Sequence, residues 1–391
     1  FPTKSLDAFK ALGLEVDYRP DLDAQSLASA VGGASVLVVR STEVRADVFE
    51  RGTSLNLVVR AGAGTNTIDR KAASARGVYV ANCPGKNSIA VAELVFALML
   101  ALDRRIVENV NDLRSGRWNK KEYSKAAGLY GRTMGVAGLG SIGREVALRA
   151  RAFGMPVVGW SRSLTPERAR ELEIERAATL AELAGRCDVL SLHLPLSAET
   201  RGLVGEDVLA RMRPGAILIN TARGELVDPE ALRRAVSERK LRVGLDVFLR
   251  EPAIAEGAFL DPVVQLPTVY GSHHIGASTE QAQTAIADET VRIIQSFLQS
   301  GLIPNVVNIC RRSPARWQLI VRHLDRVGVL ASVLTVLKRH QINVEEMENT
   351  VFDGATAACC KIKLDSRPAP EVVAEIRAPD EIIHVDLVEL P

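Results

Sequence analysis

The sequence predicts an α/β protein, with two domains of doubly wound parallel sheet and a smaller βαββαβ unit at the C-terminal end. Three observations carry this. Short apolar runs alternate with helical stretches along most of the chain, the rhythm of parallel strands covered by helices. A glycine turn, Gly138-Leu139-Gly140-Ser141-Ile142-Gly143, stands mid-chain, so one α/β unit precedes the unit that it opens. Beyond Pro304 the pattern changes to strand, helix, two strands, helix and strand.

The opening stretch 1–13 (FPTKSLDAFKALG) reads as a helix. Strand-like runs follow at 34–40, 56–62 and 77–82, then at 134–140, 156–160, 187–195, 216–222 and 242–248. A long helix begins near Asn87; its apolar run from Ile89 to Leu102 is broken by Glu93 and is too short to cross a bilayer. In the tail, the runs 317–325 and 382–390 read as strands and 327–341 as a helix.

With 391 residues the chain is expected to hold several cores, because single hydrophobic cores stop growing well before this length. At 47% hydrophobic and 25% charged it has the composition of an ordinary globular protein, and a net charge of +2 gives no electrostatic case for nucleic acid. No leader segment is visible at the start and the five cysteines lack metal-type spacing, so a reducing cytoplasm, no membrane and no metal are expected. Cys359 and Cys360 adjoin in a strand and read as small packed residues without chemistry.

Gly138, Gly140 and Gly143 follow a short strand directly and precede an Ala- and Arg-rich helix. In that frame the first glycine allows the tight turn, the second lets the backbone approach a pyrophosphate, and the third allows close helix packing. The reading is a Rossmann-like dinucleotide domain. Its second strand ends in Trp160-Ser161-Arg162 rather than in an acid. An acid repels a 2′-phosphate, whereas a hydroxyl beside a guanidinium binds one, so Ser161 and Arg162 favour NADP.

Three later segments supply Arg223 (NTARGELVD), Glu251 (DVFLREP) and His274 (SHHIGAST). Hydride exchange with a hydroxy acid requires a cation for the carboxylate, a proton carrier for the oxygen and an acid to steady that carrier. Arg223 follows a strand at the end where such sheets place their ligands. His274 supplies an imidazole, the side-chain type suited to carrying a proton near neutral pH. His193 also ends a strand and is expected to line the cofactor cleft, and His273 is expected to be a loop residue.

On these motifs the stretch from Arg60 to Thr279 resembles the D-isomer-specific 2-hydroxyacid dehydrogenases, and the tail resembles an ACT regulatory domain. The resemblance implies a discontinuous substrate domain (1–86 and 277–305), a dinucleotide domain (87–276), an ACT-like domain (316–391) and a strand ahead of the opening helix. It implies that Arg223, Glu251 and His274 are catalytic. It adds Ser141, Ile142, Pro195, Thr221, Ala222, Asp246 and Gly276 to the cofactor contacts. It also assigns Arg60, Ala61, Gly62, Asn87 and Ser88 to the substrate, although Asn87 or Ser88 also suits a plain helix cap.

The arm RSGRWNKKEY carries Trp118, Lys120 and Lys121, and in similar enzymes it reaches a neighbouring subunit. A homodimer or tetramer is therefore implied, with the lysines placed at a substrate phosphate or merely solvated. In the tail, His323, Asp325 and Asn343 match the positions where ACT domains bind an amino acid such as L-serine at a subunit interface. Asp325 and Val327 replace the usual Asn and Pro, which leaves regulation and pure assembly both open.

The implied activity is oxidation of D-3-phosphoglycerate, a small phosphorylated hydroxy acid, to 3-phosphohydroxypyruvate, the first step of serine formation. NAD is the family's usual acceptor for it. A glyoxylate or hydroxypyruvate reductase using NADPH is the alternative that Ser161 and Arg162 favour. A dinucleotide-sensing corepressor is the alternative of another class.

Overall fold

A computed structural model describes residues 2–252, 257–310 and 313–390. They divide into two compact units, 1–308 and 309–391.

The first unit holds two parallel sheets. Three strands, β1 (Val36–Val39), β2 (Leu57–Arg60) and β3 (Tyr79–Asn82), lie in that order, each an apolar run between turns. Their registers bring Val39, Arg60 and Asn82 to one edge, so the loops leaving the sheet share one end. The opening helix Thr3–Ala11 and the helix Glu280–Ser300 cover one face, where Phe9, Ile286, Ile293 and Ile294 pack on Leu57 and Val59. A helix from the far side of the chain thus returns to the first sheet, and Val306 bridges Ala81 there.

The long helix Ser88–Arg104 leads from that sheet into the second, which has seven strands: β4 (Met134–Ala137), β5 (Val157–Trp160), β6 (Glu175–Arg176), β7 (Val189–Leu192), β8 (Ile217–Asn220), β9 (Arg242–Leu245) and β10 (Val269–Gly271). Their order is β10-β9-β8-β7-β4-β5-β6, all parallel. The chain starts at β4, winds one way to β6, then resumes at β7 and winds the other way. The crevice at the carboxyl ends of β4 and β7 is therefore the switch point, where open α/β sheets bind ligands. Apolar cores fill both faces, around Leu190 and Leu218 on one side and Val136 and Ile219 on the other. The two-residue β6 and three-residue β10 are edge strands without an apolar run of their own, which is why the sequence pattern did not single them out.

The second unit is a four-stranded antiparallel sheet, β11 (Trp317–Leu324), β12 (Val344–Val351), β13 (Ala357–Leu364) and β14 (Ile382–Glu389), in the order β12-β13-β11-β14. Helices Val329–Arg339 and Pro370–Arg377 complete βαββαβ and bury Val333, Leu337, Val372 and Ile376 against Leu319, Val321 and Ile362. This is the predicted order of elements and is compatible with an ACT-like domain. Cys360 points into this core while Cys359 faces outward, as strand alternation requires. No described helix is long and apolar enough to cross a membrane.

Candidate active site

The cleft begins at the glycine turn. Gly138 has φ 96°, and a Cβ there would lie 2.4 Å from the carbonyl oxygen of His193, so the turn after β4 packs on the loop after β7 with no room for a side chain. A Cβ on Gly143 would meet the Gly138 carbonyl oxygen at 1.9 Å, which seats the helix Ser141–Ala152 against the turn. Gly140 faces open space. Closed at its first and third glycines and open at its second, the turn fits a dinucleotide pyrophosphate at the helix N-terminus. Thr221 Oγ1, His193 Nδ1, Asn87 Oδ1 and Ser88 Oγ are buried without a partner, so the cleft retains polar atoms for a ligand to satisfy.

Ser161 and Arg162 follow β5 as read, half-buried and exposed respectively. His193 hydrogen-bonds Ser191 Oγ at 2.8 Å through Nε2, and burial pushes its pKa down to about 3. It stays neutral at any working pH, as suits a cleft-lining residue rather than a proton carrier. Pro195 lies on the same loop, whose carbonyl accepts from Thr200 Oγ1 at 2.7 Å.

Arg223 leaves β8 in extended conformation, on a loop held by buried Asn220: its amide donates to the Arg223 carbonyl at 2.8 Å and its Oδ1 accepts from Ala222 N at 3.0 Å. The guanidinium donates to the Ala222 carbonyl at 2.6 Å and to Asn66 Oδ1 at 3.0 Å, on the loop after β2. Gly224 lies against the next loop, where a Cβ would stand 2.2 Å from the Phe248 carbonyl carbon. That loop presents Glu251. Its Oε1 accepts from Phe248 N at 2.9 Å and its Oε2 stands 2.6 Å from His274 Nδ1. Burial works to raise the Glu251 pKa, but the bonds from His274 and Phe248 and the charges of His274 and Arg223 outweigh it, so the carboxylate sits below its usual range.

His274 is in the left-handed region, φ 52°, which a non-glycine residue holds only when its surroundings impose it. Asp246 imposes it. This carboxylate, at the end of β9 and only 1% exposed, accepts from Ile275 N at 2.8 Å and Ser272 Oγ at 2.7 Å with one oxygen and from Gly276 N at 2.8 Å with the other. Asp246 and Gly276, read as cofactor contacts, thus also anchor the histidine loop. His273 is exposed in that loop. With Nδ1 at Glu251, His274 keeps Nε2 for a substrate proton.

From the first sheet, Arg60 turns its guanidinium back over Gly62, where a Cβ would collide with it, and donates to the Ala61 carbonyl at 2.8 Å. Burial first, then the charges of Arg223 and Arg40, push its pKa down to about 10. Arg40, whose charge reaches Arg60, was not singled out from the sequence. Nothing local marks it among so many arginines; the β1–β2 register, which sets Val39 beside Arg60, brings it to this edge. Of these guanidiniums, that of Arg223 also acts on Glu251. Asn87 and Ser88 open the helix Ser88–Arg104 without a side-chain cap bond, and neighbouring Gly85 lies against Ser141.

The remaining residues lie elsewhere. Lys120 and Lys121 stand exposed on the arm, where Lys120 lines a groove with Ile106, Val110, Leu113, Trp118 and Tyr123. Within one chain, His323, Asp325 and Asn343 do not form a single site. His323 is 2% exposed and bonded to the Leu324 carbonyl and Asn349, while Asn343 precedes β12 at the other end of the sheet, bonded to Glu345 and Asp365.

Residues 96–276 match the family model described as D-isomer specific 2-hydroxyacid dehydrogenase, NAD binding domain. The chain is 41% identical over 297 residues to D-3-phosphoglycerate dehydrogenase of Methanocaldococcus jannaschii, covering 75% of this chain and 56% of that protein. It is 40% identical over 283 residues to hydroxypyruvate reductase of Thermotoga maritima, covering 72% of this chain and 90% of that one. A solved structure of NAD+-bound 3-phosphoglycerate dehydrogenase from Entamoeba histolytica superimposes with a TM-score of 0.65 at 26% identity, over 79% of this chain and 95% of that one. The chain spans 56% to 65% of the length of the phosphoglycerate dehydrogenases from Methanocaldococcus jannaschii and Mycobacterium tuberculosis that it matches.

Proposed function

Given that this chain belongs to the D-isomer-specific 2-hydroxyacid dehydrogenases, we propose that it oxidises D-3-phosphoglycerate to 3-phosphohydroxypyruvate with a nicotinamide dinucleotide as acceptor, the opening step of serine formation in the cytoplasm. One observation carries the substrate. Arg60 and Arg223 face one another from the two sheets, and the charges of Arg223 and Arg40 add to burial in depressing the Arg60 pKa. Such a cluster suits a ligand bearing several negative charges, and phosphoglycerate carries a carboxylate and a phosphate.

The geometry supports the following roles. Arg223 holds the substrate carboxylate and the oxygen on which charge develops, with Arg60, Ala61 and Gly62 facing it from the other sheet. His274 Nε2 takes the hydroxyl proton in oxidation and returns it in reduction. Glu251, ionised and bonded to Nδ1, fixes the tautomer and stabilises the imidazolium. The dinucleotide, when bound, supplies the carbon that exchanges hydride. Gly138, Gly140, Ser141, Ile142 and Gly143 would hold its pyrophosphate, and Thr221 and Ala222 border the same cleft. Lys120 and Lys121 would meet the substrate phosphate only from a second subunit of a dimer or tetramer. By the same logic, the tail binds an amino acid such as L-serine between copies, where Asn343 of one chain approaches His323 and Asp325 of another.

The test is a panel of keto acids assayed with NADH and NADPH. The proposal expects kcat/KM for 3-phosphohydroxypyruvate to exceed that for hydroxypyruvate and glyoxylate by about tenfold or more, the worth of one good charge-assisted contact. Equal or better use of the unphosphorylated acids with NADPH would establish the reductase instead, the reading that the absent acid after β5 supports.

A further inference from the structure

We propose that Asn66 is a positioning residue for Arg223, tethering the substrate-binding guanidinium from the opposite sheet; this rests on the reading of Arg223 given above. Asn66 follows β2 in the first sheet and Arg223 follows β8 in the second, yet Asn66 Oδ1 accepts from Arg223 Nη2 at 3.0 Å. The seat is built for that approach. A Cβ on Gly64 would stand 2.3 Å from the same Nη2, so the guanidinium lies on bare backbone. Asn82 steadies this loop, its side-chain amide donating to the Ala63 carbonyl at 2.5 Å.

A tether is needed because Arg60 and Arg223 repel. The charge of Arg223 is the second cause, after burial, of the low Arg60 pKa. Until an anion enters, that repulsion drives the two guanidiniums apart, and a free arginine side chain has many rotamers to escape into. Two fixed points oppose this: the Ala222 carbonyl on the same loop and Asn66 on the other sheet. The amide is also the right chemistry. It accepts from the guanidinium without cancelling its charge, which stays available to the substrate carboxylate through the remaining N–H groups. An aspartate would hold the same geometry but compete for the charge.

The experiment compares Asn66→Ala, Asn66→Asp, Gly64→Ala and Arg223→Ala in steady-state reduction of 3-phosphohydroxypyruvate, with thermal unfolding of each. Asn66→Ala is expected to lower kcat/KM about ten- to a hundredfold, the scale of a small misplacement of a binding group, with the dinucleotide KM and unfolding temperature unchanged. Gly64→Ala is expected to do the same by displacing the same guanidinium, so the test survives if one variant fails to fold. Asn66→Asp is expected to keep kcat and raise only the keto acid KM. Asn66→Ala and Gly64→Ala behaving like the unaltered chain while Arg223→Ala loses turnover overturns the tether. So do equal losses in the Ala and Asp variants accompanied by a raised dinucleotide KM and a lower unfolding temperature. Turnover surviving in Arg223→Ala overturns the reading of Arg223 itself, a result separable from both.

Discussion

His274 Nδ1 and Glu251 Oε2 stand 2.6 Å apart, although the two residues lie on different loops of the second sheet. Since Phe248 N holds the other carboxylate oxygen, the acid cannot turn away. Replacing it with Gln therefore removes both the charge and one of the two acceptors, and so tests the pairing that fixes the His274 tautomer. Glu251→Gln is expected to cut kcat about ten- to a hundredfold, within the range of general acid–base effects, and to leave the dinucleotide KM unaltered. Steady-state kinetics checks it.

Gly224 links the arginine loop to the glutamate loop. A methyl there would lie 2.4 Å from the Phe248 carbonyl oxygen and 2.6 Å from Leu249 N, both backbone atoms that cannot swing aside. Gly224→Ala is expected to displace Arg223 and Glu251 together, lowering kcat/KM by about a hundredfold.

Asp246 anchors the histidine loop by three hydrogen bonds. Asp246→Ala leaves the Ile275 and Gly276 amides without their acceptor and frees His274 from its left-handed backbone. The expected result is a loss in kcat of about tenfold or more, with a destabilisation of about 1–3 kcal/mol measured by denaturant unfolding.

Glu289 is a stability test away from the chemistry. This carboxylate, 5% exposed on the helix Glu280–Ser300, is bonded by Arg292 and Asn305 and paired with Lys86. The Arg292 bond is the first cause that brings its pKa from 4.5 to about 2. A depressed folded pKa means that the contribution is full above the unfolded value and is lost as pH falls through the folded one. Glu289→Gln is accordingly expected to destabilise the first unit at pH 7 by on the order of 3 kcal/mol. The difference from the unaltered chain should shrink between pH 4.5 and 2, as unfolding curves across that window would reveal.

What the sequence made legible was whatever is local. The glycine turn, the strand before it and the helix after it are contiguous, so spacing alone placed them. Arg223, Glu251 and His274 were found by short motifs, but what holds them was not: Asp246 reaches Ile275 and Gly276 across about 30 positions, and Asn66 reaches Arg223 across 157. Arg40 becomes visible only once β1 and β2 are in register. In the tail, the order of elements along the chain was readable, but the separation of His323 from Asn343 along the sheet follows from pairing, which no residue pattern states.

The most direct measurement of the central claim is single-turnover and steady-state reduction of 3-phosphohydroxypyruvate by the unaltered chain and by His274→Gln at matched dinucleotide saturation. The account predicts turnover by the unaltered chain and a loss of about a hundredfold or more in the variant, since it removes the group that carries the proton. Near-full turnover by His274→Gln would contradict it.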